Sequence, residues 1–126
     1  MNVLIDSSVW VSHFKQRNDQ LVELVQADLA LIHPMIIVEL ACGTPPAPRQ
    51  QTLSDLGLLR GCTQVTHAEL LDFIEREKLY GLGCGLVDLS LLAATLLTPN
   101  TRLWTLDRRL AVLATRLAVG YQPRLH

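Results

Sequence analysis

Aromatic side chains are scarce in this sequence of 126 residues, where Trp10, Phe14, Phe73, Tyr80, Trp104 and Tyr121 make up the whole set. A core therefore has to be filled by Leu, Val, Ile and Ala, a composition common where helices cover a parallel sheet. Lysine is scarcer still, with only Lys15 and Lys78. The three cysteines, Cys42, Cys62 and Cys84, are odd in number and lack CxxC spacing. That excludes a disulfide framework, suits a reducing cytoplasm, and leaves each cysteine as a small buried hydrophobe. No apolar run reaches the roughly 18 residues of a membrane span. The first apolar run has no basic stretch before it and is broken by Asp6, so no secretory signal is expected. The length suits one domain over residues 1–126 and is too short for two ordinary ones. With 49% apolar residues the chain can bury a core without staples.

The net charge of −1 is uninformative, but its distribution is not. Residues 1–98 carry six Lys and Arg against eleven acids, whereas residues 99–126 carry Arg102, Arg108, Arg109, Arg116 and Arg124 against Asp107 alone. A basic segment beside an acidic body could guide a polyanion, since Arg and Lys make most phosphate contacts. A solvated helix face is the competing reading.

Strand-like and helix-like segments alternate along the chain. Asn2-Val3-Leu4-Ile5-Asp6 reads as a buried strand ending at an acid, with Ser7 or Ser8 placed to cap the next helix. Asn18 is placed to cap a second helix. Leu29 to Ile32 reads as a strand, and Pro34 and Gly43 bracket a helix. Gln50 to Leu59 reads as a helix and Gly61 to Val65 as a strand. Thr66 and Glu69 have capping-box spacing and open a helix to about Tyr80. Gly81, Gly83 and Gly85 precede a long apolar helix over Leu86 to Leu97. Leu103 to Asp107 reads as a strand again ending at an acid, then a helix from Arg108 to Thr115 and a last strand at Ala118-Val119. This order predicts an α/β domain whose parallel sheet is covered by helices, with a site beyond the carboxyl ends of its strands.

Twelve acids are present, and eight have ordinary surroundings. The other four sit in apolar company. Asp6 ends Val3-Leu4-Ile5, and Glu39 lies within Met35-Ile36-Ile37-Val38 and Leu40-Ala41. Asp88 is flanked by Leu86-Val87 and Leu89, and Asp107 ends Leu103-Trp104-Thr105-Leu106. A carboxylate near a core is costly unless paired or bound to a cation, and two lysines cannot pair four of them. One shared divalent-metal site resolves the conflict, and oxygen ligands without clustered His or Cys favour Mg²⁺ or Mn²⁺. For Asp6 or Asp107 taken singly, a helix cap is the simpler account.

These residues resemble a known family. Asp6-Ser7-Ser8 after the first strand, Glu39 in a helix, Gly85-Leu86-Val87-Asp88 opening Leu91-Leu92-Ala93-Ala94-Thr95, and Thr105-Leu106-Asp107 near the end look like a PIN domain. The compact length is similar to the VapC toxins of type II toxin–antitoxin pairs. The resemblance implies a central parallel sheet of four to five short strands flanked by helices, and Mg²⁺- or Mn²⁺-dependent endoribonuclease activity. It further implies a homodimer and a VapB-like antitoxin partner. By position it makes Asp6, Glu39, Asp88 and Asp107 catalytic metal ligands, with Thr105 and Ser7 as assisting hydroxyls. Arg108 and Arg109, next in sequence to Asp107, are candidates to grip RNA phosphates. No His has acid-linked spacing; His33, before Pro34, reads as a helix-start residue. Two other readings remain: a PIN-like scaffold that binds RNA or protein without cutting, and a receiver-like phosphoacceptor domain, which lacks its paired acid and late lysine here.

Overall fold

The computed structural model describes residues 1–123; Arg124 and His126 lie outside them. The chain runs β1 (Asn2–Ile5), α1 (Ser7–Lys15), α2 (Asp19–Gln26), β2 (Ala30–Ile32), α3 (Pro34–Ala41), α4 (Arg49–Leu56), β3 (Arg60–Gly61), α5 (His67–Glu77), α6 (Leu86–Leu97), β4 (Thr101–Trp104) and α7 (Arg108–Arg116). The four strands form one sheet in the order β3-β2-β1-β4, and every pairing is parallel. The architecture is thus α/β with helices flanking a central parallel sheet, as the alternation predicts.

The strand order decides where a site can form. From β1 the chain steps outward to β2 and β3, then returns across the sheet to place β4 on the other side of β1. Connections therefore leave β1 and β4 in opposite directions, which opens a crevice at their carboxyl ends. The Asp6 amide donates to the Trp104 carbonyl at 2.9 Å and fastens the two strand ends together there.

Local rules explain most elements. Asn18 accepts from the Leu21 amide at 3.1 Å and caps α2. Before Pro34, the imidazole Nδ1 of His33 accepts from the Met35 amide at 3.0 Å and caps α3. Thr66 and Glu69 close the expected reciprocal box at 3.1 and 2.8 Å. Because Thr66 is exposed, Thr66→Ala leaves no cavity and removes the cap alone. Thermal unfolding of that variant should show a loss of about 1 kcal/mol.

The core is aliphatic. Leu4, Ile5, Leu21, Ile36, Leu91, Leu92, Leu103 and Leu110 are fully buried, with Trp10 and Trp104 as the large aromatic members. Helix α6 contributes six consecutive or near-consecutive buried positions, Leu89 and Leu91 to Thr95, because it packs against both β4 and α5. Not every apolar side chain is absorbed: Val11, Leu96 and Leu97 remain exposed.

Several boundaries differ from expectation. Strand β3 is the two-residue pair Arg60–Gly61, not Gly61 to Val65. Helix α5 ends at Glu77, short of Tyr80, since Lys78 takes the left-handed conformation at φ 54° that closes a helix. Strand β4 stops at Trp104, three residues before Asp107. In place of a strand at Ala118-Val119 there is a single parallel bridge between Leu103 and Gly120. The cysteines are not buried hydrophobes either: Cys42 is exposed and Cys62 and Cys84 are half-buried. Among the described residues no helix is long and apolar enough to cross a membrane.

Candidate active site

The four acids reach the crevice from four elements. Asp6 follows β1 directly and is 4% exposed. Its carboxylate Oδ2 accepts the Ser8 hydroxyl at 2.7 Å and the Thr105 hydroxyl at 2.8 Å. Those hydroxyls in turn accept backbone amides, Ser8 from Leu106 and Thr105 from Asp107, each at 3.0 Å. The turn after β4 is thereby stitched to the start of α1 through one carboxylate. This arrangement also ends β4 early, because residues 105–107 spend their polar groups on Asp6 and its neighbours and not on a sheet ladder.

Glu39 lies in the last turn of α3, half-buried, and its Oε1 accepts the Ser7 hydroxyl at 2.9 Å. Burial pushes its pKa up, the Ser7 bond opposes this, and the charges of Asp6 and Asp88 raise it further. Asp88 occupies the first turn of α6, where its Oδ2 accepts weakly from the Gly85 amide at 3.5 Å. Burial raises its pKa too, opposed by that amide and reinforced by Asp107 and Asp6. Asp107 is exposed and caps α7, its Oδ1 accepting the Arg109 and Leu110 amides at 2.9 and 3.1 Å. The helix-cap account therefore holds for Asp107. It does not hold for Asp6, whose side chain caps nothing although it precedes α1.

The expected capping role of Ser7 or Ser8 is also absent. Both hydroxyls point to carboxylates instead. Ser8 is the residue that sequence reasoning missed as part of the site; the Asp6-Ser7-Ser8 run was the available signal, but the Leu106 amide that Ser8 accepts lies 98 positions away.

Among the described residues, each of the four carboxylates has one oxygen that is hydrogen-bonded and one that is not. None of the four is ion-paired, since the salt bridges of the described residues join Arg17 to Asp19, Arg60 to Asp28 and Arg76 to Asp72. Carboxylates left without a cationic partner among the described residues, with acidic neighbours helping to raise the pKa of Glu39 and Asp88 and with free oxygens, have the donor chemistry of a hard divalent cation. Among the described residues, however, no three His, Cys, Asp or Glu side chains converge closely enough to hold a metal ion as they stand. Side-chain movement of half-exposed Glu39 and Asp88 would be needed to close a coordination shell.

Other groups stay out of the chemistry. His13 accepts the Asn18 amide through Nδ1, and His33 caps α3 with its pKa lowered by burial. Burial pushes the Cys62 thiol up to about 11, and raises Cys84 together with the charges of Asp88 and Asp107, so neither is a ready thiolate. Arg108 and Arg109 are exposed at the mouth. The Arg109 side chain lies across Gly83, where φ is +87° and an added Cβ would stand 2.7 Å from its Cδ. The positive φ favours glycine there, and its lack of a Cβ lets the Arg109 side chain lie where it does.

A parallel sheet ordered in this way, with acids at the carboxyl ends around its switch point, is the arrangement of a PIN-like domain. The chain is 42% identical to Ribonuclease VapC32 of Mycobacterium tuberculosis over 108 residues, 86% of this chain and 86% of that protein, in both the CDC 1551 / Oshkosh and the ATCC 25618 / H37Rv strains. It belongs to the VapC family of PIN-domain ribonucleases. No protein-family model and no solved structure matches the chain.

Proposed function

We propose that this protein is an endoribonuclease, the toxin of a VapBC-type pair, and that residues 1–126 form one nuclease domain acting in the cytoplasm. The observation that carries the reading is the set of four carboxylates at the β1–β4 crevice that, among the described residues, have no ion pair and one oxygen each free of hydrogen bonds. The family relation to a named ribonuclease supports it.

Asp6, Glu39, Asp88 and Asp107 are the residues that would hold Mg²⁺ or Mn²⁺. The chemistry such an ion supplies is a water made acidic near neutral pH and positive charge beside a phosphodiester undergoing in-line displacement. The chain's own part is positional. Ser8 and Thr105 fix the orientation of Asp6, and Ser7 holds Glu39 toward the crevice. Glu39 and Asp88, whose negative charge is disfavoured by burial and by their acidic neighbours, are the carboxylates that gain most from an arriving cation. Arg108 and Arg109 hold RNA phosphates at the edge. A VapB-like antitoxin and a homodimer complete the assembly in this reading.

The direct test incubates purified protein with total RNA and transfer RNA in Mg²⁺, in Mn²⁺ and in EDTA. Discrete fragments that require metal are expected; intact RNA under every condition would overturn the nuclease reading. Arg108→Ala with Arg109→Ala should weaken RNA binding. It should also flatten the dependence of log affinity on log salt by about 0.7 for each RNA phosphate that the two arginines neutralise in the wild type.

A further inference from the structure

Glu39 belongs to two places at once. Besides facing the acidic crevice, it lines a separate open pocket of about 500 Å³, shared with Val11, Phe14 and Lys15 of α1 and with Pro45 and Pro46 of the loop before α4. This volume lies within the range of about 300–1,000 Å³ usual for ligand clefts. Its lining is mostly apolar, with the flat ring of Phe14 and the pyrrolidine rings of the two prolines. The Phe14 ring is backed by Trp10 and His13, each with centroids 6.1 Å away, so it is a held surface and not a loose side chain.

We propose that this pocket receives a nucleobase of the RNA on one side of the cut, with Lys15 holding a phosphate of the same stretch. The proposal rests on the nuclease reading and adds to it a specificity subsite. Three observations select this occupant. The pocket shares Glu39 with the acid cluster, so a nucleotide seated in it adjoins the reacting position. Apolar and aromatic walls suit the face of an unpaired base, the usual mode by which proteins read RNA outside duplexes. An exposed lysine at the rim is complementary to a phosphate, whereas an apolar peptide side chain would have no use for it. Lys15 on one flank and Arg108 with Arg109 on the other give the polyanion cationic holds on both sides of a cluster that would otherwise repel it.

The test uses short single-stranded RNA containing a bond the wild type cuts, and matching strands in which each nucleotide beside that bond in turn has lost its base. Thr44 is an exposed residue lining the pocket, so Thr44→Trp fills it without touching the core. Lys15→Gln removes the cation. Melting temperatures establish that both variants fold. Removal of one particular base should slow cutting by the wild type about tenfold or more, the scale of a missing base–aromatic stack. Thr44→Trp should cut the intact strand as slowly as the wild type cuts that abasic strand, and should be indifferent to the same base removal. Lys15→Gln should weaken all strands alike, since phosphate contacts carry no sequence information. Wild-type cutting of every strand by Thr44→Trp would overturn the proposal and leave the pocket to a protein partner.

Binding of short single-stranded RNAs and of their single-abasic counterparts, chosen without regard to cutting and read by fluorescence anisotropy, separates this idea from the reading it rests on. Affinity that falls with the abasic strand and with Thr44→Trp, in a protein that never cuts, would keep the base pocket and remove the nuclease. Strands neither bound nor cut, with total RNA also intact, would remove both.

Discussion

Asp6→Asn should lower RNA cutting by about 10²–10³-fold, the scale seen when one preorganised group opposite a developing charge is removed, while leaving the melting temperature unchanged or higher. The two halves of that expectation have separate origins. Asparagine keeps the shape of the side chain and one carbonyl oxygen, which can still accept the hydroxyls of Ser8 and Thr105 at the place of the present Oδ2. The stitch between the β4 turn and α1 therefore survives. What disappears is a negative charge at a 4%-exposed position that now raises the pKa of both Glu39 and Asp88. Removing it relieves repulsion in the folded state and at the same time removes the best-fixed anion of the cleft. Asp6→Ala should behave differently. It leaves the two hydroxyls without their acceptor and should destabilise the fold by about 1–3 kcal/mol, so reduced activity in that variant alone would not separate chemistry from folding. Asp6→Asn protein that cuts at the wild-type rate would remove Asp6 from the catalytic set.

The contrast between legible and hidden features follows the range of the forces involved. Helices α3 and α6 could be read from sequence because Pro34, Gly43 and Gly85 bracket them and apolar periodicity fills the interval. The end of β1 was readable because Asp6 interrupts a short apolar run. The end of β4 was not: Leu103-Trp104-Thr105-Leu106 are all acceptable in a strand, and nothing within that segment stops it. What stops it is Asp6 and Ser8, which bond to Thr105 and Leu106 across 99 and 98 positions of sequence. The same separation hid Ser8, whose adjacency to Asp6 suggested a helix cap. Cys42 was misplaced for a different reason. A cysteine is usually a small buried hydrophobe, but Cys42 stands just past the end of α3 at Ala41 and is exposed. Apolar company around four acids pointed to a cleft, yet could not show that Asp107 divides its oxygens between a helix cap and open space.

Metal and proton should compete for the same two carboxyl groups, and the competition sets the second large effect. In the metal-free protein Glu39 and Asp88 have pKa values above their ordinary ones. Between the ordinary and the raised value the folded state binds more protons than the unfolded chain, so stability falls as pH rises through that window. The penalty is fully present above the raised values and absent below the ordinary ones. Metal-free protein should therefore lose stability on going from mildly acidic to neutral pH, as far as these two groups decide it. Mn²⁺ should reverse the trend, because a cation that binds only the folded state stabilises it by about 2.7 kcal/mol at a hundredfold excess over Kd. As pH falls through the raised values, protons displace the metal and that gain should shrink. Asp88→Asn should raise the melting temperature of the metal-free protein at neutral pH and abolish most of the Mn²⁺ shift, since it removes the repelled charge and, in the proposed site, one of the acids that would hold the ion. Calorimetric scans with and without Mn²⁺ at two pH values decide the matter. An Mn²⁺ shift of equal size at both pH values and in the variant would place the cation elsewhere. A shift confined to neutral pH and to the wild type would locate it among these acids, which no lysine or arginine of the described residues pairs, and would make their repulsion what the bound cation relieves.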